Sequence, residues 1–226
     1  MAPPTTVAEV VDRLRAIEAS VPAGDGVAVF NRVYLTVTER IGALLTDGAP
    51  AFEDPALVAE LDVVFARLWL DAYDDVAGGR RAPAPWRPLF EARTSRRYPI
   101  QFALAGMNAH IEHDLPLAVV TTCQSRGVSP ADMHRDYEAV NQVLASVEAE
   151  IRRGFLTSVG QQLDDHVGPV VHLVSAWHID KARDLSWVTA ETLWALRRMT
   201  LLRGRFLDAL GHTVGMTSRT LLAPTR

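Results

Sequence analysis

His110, His113 and Asp114 stand close together in the middle of the chain, inside the apolar stretch from Gln101 to Thr122 that also carries Asn108 and Glu112. Burying such groups unpaired costs a few kcal/mol each, so they call for partners or a purpose. On a helix, His110 and Asp114 fall one turn apart on one face, with His113 on the same side. That arrangement suits two chemistries. The side chains can share one divalent metal (zinc, iron or manganese), or Asp114 can orient His110 as a general base. For a metal, His110, His113 and Asp114 form the candidate set, with Asp184 as a ligand from a facing helix. A third reading is a buried His/Asp network that only joins helices.

Other residues could complete such a site. Asp62 lies among apolar neighbours, flanked by Phe65 and Trp69 at helical spacing. Buried and unpaired it would have a raised pKa, as an acid or base requires; an arginine salt bridge is the simpler alternative. Arg183 and Asp184 sit in the first turn of a helix after Trp177 and His178, where an anion could be received. Catalysis is therefore assigned to His110, Asp114, Asp62 and Arg183, and substrate contact to Asn31, Trp69, Asn108, Trp177 and Trp187. Asn31 is also explained by helix–helix hydrogen bonding. Cys123 has no neighbour that would activate a thiol. The chain contains no HExxH, GxSxG, P-loop or GxGxxG motif.

The elements that must position these residues are helical. Thr6 and Glu9 form a capping-box pattern ahead of Val7, Val10, Val11, Leu14 and Ile17. This first helix should end near Ser20. Asp25 caps a second helix to about Leu45, stopped by Asp47-Gly48, and Asp54-Pro55 opens a third that ends at Gly78-Gly79. Residues 80–99 hold four prolines and no sustained period, with Trp86, Leu89, Phe90 and Tyr98 as apolar anchors. A packed irregular segment is expected there, with a helical turn at Leu89 to Arg93. The central helix follows Pro99, and Pro116 should kink or interrupt it, freeing a carbonyl near Glu112. A fifth helix begins at Ser129-Pro130 and residues 160–180 are irregular. Asp180 caps a helix of about 20 residues whose face includes Ala182, Leu185, Thr189, Leu193, Leu196 and Met199. A last helix covers Arg205 to about Leu222. No β-alternating segment or repeat is present. The class is all-α: a single domain over 1–226, an antiparallel bundle of about seven helices with two long irregular connections.

At 226 residues, 48% hydrophobic and 22% charged, the composition is that of an ordinary globular chain. The single cysteine excludes an internal disulfide and a Cys-rich zinc site. One lysine stands against 22 arginines at a net charge of -4, and no basic cluster points to nucleic acid. The N-terminus lacks a secretory pattern, and no apolar run approaches the ~20 residues of a membrane span. A cytoplasmic protein with no nucleic-acid or membrane partner is expected, and a homodimer is allowed.

The segment from Asn108 to Leu117, Asn-Ala-His-Ile-Glu-His-Asp-Leu-Pro-Leu, resembles the signature of an uncharacterised bacterial and fungal family, a domain of unknown function. Asp25-Gly26-Val27-Ala28, Phe30-Asn31-Arg32-Val33-Tyr34, Trp86-Arg87-Pro88-Leu89-Phe90, Gln101-Phe102-Ala103-Leu104-Ala105-Gly106 and Ala182-Arg183-Asp184 match it too. The resemblance implies that Asn31, Asn108, His110, Asp114, Arg183 and Asp184 belong to the family pattern; it implies no activity. The functional expectation is an enzyme acting on a small organic molecule between helices, by hydrolysis or by cyclisation or isomerisation, with or without one divalent metal. The alternatives are a helical small-molecule binding module and a structural His/Asp network with no site.

Overall fold

A computed structural model describes residues 2–46, 51–141, 143–144, 153 and 178–224. Every regular element among these is a helix: α1 (Val7–Ser20), α2 (Gly26–Thr46), α3 (Pro55–Ala77), α4 (Arg87–Ala92), α5 (Pro99–Ala109), a π-helical turn (His110–Asp114), α6 (Leu115–Arg126), α7 (130–141), α8 (Ile179–Ala195) and α9 (Thr200–Leu221). The chain is an all-α bundle. None of the described helices is long and apolar enough to cross a membrane.

The helix starts follow local chemistry. Thr6 Oγ1 accepts from the Glu9 amide at 3.2 Å, and the Glu9 carboxylate accepts from the Thr6 amide in return. Asp25 accepts from the Val27 amide at 2.8 Å, and Asp54 from the Leu57 amide at 2.9 Å ahead of Pro55. Each bond satisfies an amide that the first turn leaves without a partner.

α5 occupies the centre. Every residue from Ile100 to Ala109 is buried, as expected of a helix apolar on all sides. It packs against α2, α4 and α9. Two glycines set how close α2 comes: a Cβ on Gly106 would lie 2.3 Å from the Phe30 ring, and one on Gly26 would lie 2.4 Å from the Phe102 ring. Three polar side chains of α5 and the residues ahead of it hold α9. Gln101 donates to the carbonyls of Leu221 and Ala223, Asn108 to the Val214 carbonyl and Ser218 Oγ, and Arg97 to the Leu222 carbonyl.

Several boundaries differ from the sequence expectation. The α-helical ladder is interrupted ahead of Pro116, as expected, but by a π turn over His110–Asp114. The turn widens there: the Leu115 amide donates to the His110 carbonyl, five residues back. A π turn places the break in the ladder beside a proline that has no N–H to give. His178, rather than Asp180, is the residue before α8, and Asp180 lies in its first turn. α8 ends at Ala195 and α9 begins at Thr200, ahead of the expected Arg205. No glycine or proline marks that corner, so the sequence carried no stop signal. Leu185, expected on the core face of α8, is exposed; Ser186 and Ala190 are buried instead. The irregular 80–99 segment is packed as expected, with Trp86, Leu89 and Phe90 buried around the short α4. The Asp47-Gly48 stop, the end of the fifth helix and residues 160–177, including Trp177, lie outside the described residues.

Candidate functional site

His110 and Asp114 meet across the π turn. His110 Nδ1 lies 3.2 Å from Asp114 Oδ2, and both side chains are buried. Asp114 gathers two further partners: Trp86 Nε1–H donates to Oδ2 at 2.9 Å, and His113 Nδ1 lies 2.8 Å from Oδ1. Burial opposes the charge on Asp114, but the bonds from His110 and His113 outweigh it and hold the carboxyl below its ordinary range. An ionised Asp114 accepts, so His110 Nδ1 carries a hydrogen and Nε2 keeps the lone pair. Burial lowers the His110 pKa against the pull of Asp114, which keeps the imidazole neutral.

Aromatic rings enclose this imidazole. Phe65 stacks on it at 3.6 Å between centroids with planes 8° apart, and Tyr34 meets it edge-on at 4.4 Å. Phe30 and Trp86 stand at 5.8 Å. α2 supplies Phe30 and Tyr34, α3 supplies Phe65, and Trp86 precedes α4.

Three buried polar atoms in this region have no hydrogen-bond partner: His110 Nε2, Tyr34 Oη and Asp62 Oδ2. Native interiors rarely leave such groups unsatisfied, and each needs an explanation. Asp62 lies one turn before Phe65 on α3, and its charge is felt at the Tyr34 phenol. The arginine partner that would have made Asp62 structural is absent among the described residues. Burial raises its carboxyl to about 7. Burial, with the charge of Asp62 adding, outweighs the opposing influence of the Thr38 hydroxyl and keeps the Tyr34 phenol protonated. Thr38, one turn after Tyr34, is buried too, with its hydroxyl donating to the Tyr34 carbonyl at 3.0 Å. A neutral imidazole with a free lone pair, a carboxyl that titrates near neutrality and a phenol donor thus come from three different helical segments. Such a set can take up and return protons.

The other sequence candidates sit elsewhere. Asn31 is buried, with Nδ2 donating to the Leu14 carbonyl at 2.8 Å and Oδ1 accepting from Trp69 Nε1 at 3.4 Å; it joins α1, α2 and α3. Trp69 packs edge-on against Phe30 and beside Trp86, behind the ring enclosure. Asn108 is spent on α9. Arg183 is buried, over the Tyr137 ring at 3.9 Å, and bonds to Asn141 Oδ1 and the Tyr137 carbonyl. These contacts fasten α8 to α7. Trp187 packs on His134 and Tyr137. Asp184 is exposed beside Arg183. Among the described residues no group of three or more His, Cys, Asp and Glu is placed to hold a metal. Burial pushes the Cys123 thiol to about 11, so it stays protonated.

An open groove of about 1100 Å³ lies between α1, α2 and α3. Ala59, Glu60, Val63 and Arg67 turn one face of α3 toward it; Asp62, Phe65 and Trp69 occupy the other face. The groove and the orphan polar cluster are separate features.

Tyr34 is the site residue that sequence reading missed. By sequence it reads as one more apolar position of its helix, beside Phe30 and Val37. Its signal was its register: Tyr34 and Thr38 repeat the four-residue step of His110 and Asp114.

The family model described as a family of unknown function (DUF5995) matches residues 7–224. The chain belongs to this family. No curated protein and no solved structure matches the chain. The family match covers both the π turn and the helices that enclose it.

Proposed function

We propose that the chain is an enzyme that moves protons on a small, uncharged organic molecule, with His110 as general base. The observation that supports this reading is the state of the imidazole. Nδ1 is held by an ionised Asp114 that two other donors orient, while Nε2 is sealed from solvent without a partner. Asp62, with a carboxyl raised to about 7, returns the proton, and the Tyr34 hydroxyl stabilises the oxygen on which charge develops. Isomerisation or cyclisation through an enol needs just these parts; ester hydrolysis needs a water beside His110 as well. Asp114 and Trp86 are positioning residues, because they act through the imidazole.

The test uses the full chain with mixtures of small ketones and esters in deuterium oxide, followed by NMR for exchange, rearrangement or cleavage. His110→Gln and Asp62→Asn should each lower turnover by about 10²-fold or more with helix content unchanged. Equal activity in His110→Gln would refute the assignment of the base.

A divalent metal is the second reading, supported by the ligand types of the two free atoms, His110 Nε2 and Asp62 Oδ2. Asp114 would then orient the histidine from behind rather than bind the ion. Elemental analysis of untagged protein decides it: metal near one per chain that disappears in both His110→Ala and Asp62→Asn favours this reading, and its absence after reconstitution removes it.

A further inference from the structure

α9 is fastened to the body through Gly211, Val214, Gly215, Ser218 and Leu221, all in its second half. None of residues 200–210 is buried. Away from that face, Leu202, Ala209, Thr213 and Met216 recur at helical spacing, with Met199 just ahead of the helix and Phe206 half-buried against the core between them. This is the spacing of an apolar seam, and a helix with a second seam expects a second partner. The seam is open: Met199 is 55% exposed, Leu202 53% and Met216 63%, and Leu201 beside it is 79% exposed. Such a concentration of exposed large apolar side chains marks an interaction surface.

The charge on this ridge identifies the partner. Arg205, His212 and Arg219 recur every seven residues along the edge of α9, with Arg198 in the turn ahead of it and a single acid, Asp208, between Arg205 and His212, and all are exposed. Arg219 shares its charge with Glu91 at 3.3 Å. Between Glu191 and Asp208 there are four arginines and no acidic residue, on a chain whose net charge is -4. Trp194 is half-buried at the same end, under the Arg197 guanidinium at 4.3 Å.

We propose that this ridge seats α9 on the surface of a bilayer rich in anionic phospholipid. Leucine and methionine side chains enter the acyl boundary while the arginines meet the lipid phosphates. A second copy of the chain fits less well, because antiparallel pairing of two such ridges sets the edge of Arg205, His212 and Arg219 against its own copy. A nucleic acid would use the arginines and leave Leu201, Leu202 and Met216 without a role. The sequence contains no apolar run long enough to span a membrane, and surface binding requires none.

The test is flotation of the full chain with vesicles of phosphatidylcholine alone and of phosphatidylcholine mixed with phosphatidylglycerol. Binding to the mixed vesicles only, weakened by high salt, is expected. The double variant Arg198→Glu, Arg205→Glu should weaken partitioning by about 25-fold or more, at about fivefold per arginine removed. The double variant Leu201→Ser, Leu202→Ser should weaken it by at least about tenfold. All four side chains are exposed, so circular dichroism of both variants should match the wild type. Three outcomes would overturn the proposal. One is no binding to anionic vesicles at low salt. Another is salt-sensitive binding untouched by the leucine substitutions, which would mean simple polyanion attraction. The last is a concentration-dependent dimer that Leu202→Ser dissociates, which would make the ridge a self-association seam.

Discussion

Asp62 and His110 pull the stability of the folded chain in opposite directions with pH. The folded Asp62 keeps its proton up to about 7, whereas an unfolded aspartate releases it near 3.8. The folded state therefore binds the extra proton, and its stability falls as pH rises between these values and is level above them. The folded His110 has a pKa below 6.5, so the unfolded state binds that proton first and stability falls as pH drops below 6.5. Just below pH 6.5, where both groups are titrating, the two slopes offset each other. Asp62→Asn removes one of them. The variant should gain stability as pH rises to about 6.5 and exceed the wild type at pH 8 by about 1–3 kcal/mol. Urea unfolding at pH 5, 6.5 and 8 measures this; a profile parallel to the wild type would show that the Asp62 carboxyl is not sealed. At this scale the sequence exposed the His110–Asp114 pair, because a four-residue step on a helix is a local fact. It also marked Asp62 as suspect, because an acid between Phe65 and Trp69 breaks an apolar row. Whether an arginine answered that acid depended on what faced it, and the sequence holds many arginines.

α2 and α5 approach each other on glycine. With the Phe30 ring where a Gly106 side chain would begin, Gly106→Ala must displace Phe30, which stands edge-on to His110. The expected cost is about 1–3 kcal/mol, as for other overpacked cores, with a change in the His110 ring resonances in the same variant. Thermal unfolding and NMR of the imidazole carbons together check it; lost stability with an unmoved His110 spectrum would separate the helix contact from the site. The helices themselves were legible in sequence, since Thr6, Asp25 and Asp54 cap them through neighbours two or three residues away. The π turn was not. Pro116 announced a disturbance, but its form was set by Leu115 finding the His110 carbonyl while the helix stayed packed on both sides. The start of α9 was missed for a related reason: residues 196–199 turn without glycine or proline.

Across the whole molecule, one buried amide joins the middle of the chain to its C-terminal end. Gln101 Nε2 donates to the Leu221 and Ala223 carbonyls, which are 120 and 122 residues away. Gln101→Ala leaves those carbonyls without this donor and should cost about 1–3 kcal/mol. Faster hydrogen exchange is expected in the second half of α9, where the helix is anchored, and little change in α1. A uniform rise across the chain would instead mean global destabilisation.

The sequence by itself determined the all-α class, the caps, the buried central helix and the His110–Asp114 pair, because each rests on spacing within a turn or two of the chain. Tertiary structure decided which polar groups are satisfied. Asn31, Asn108 and Arg183 are occupied in joining helices, whereas Tyr34, Asp62 and His110 each keep a buried polar atom free. Satisfaction of a buried group depends on what faces it from another helix, and helical periodicity carries no record of that partner.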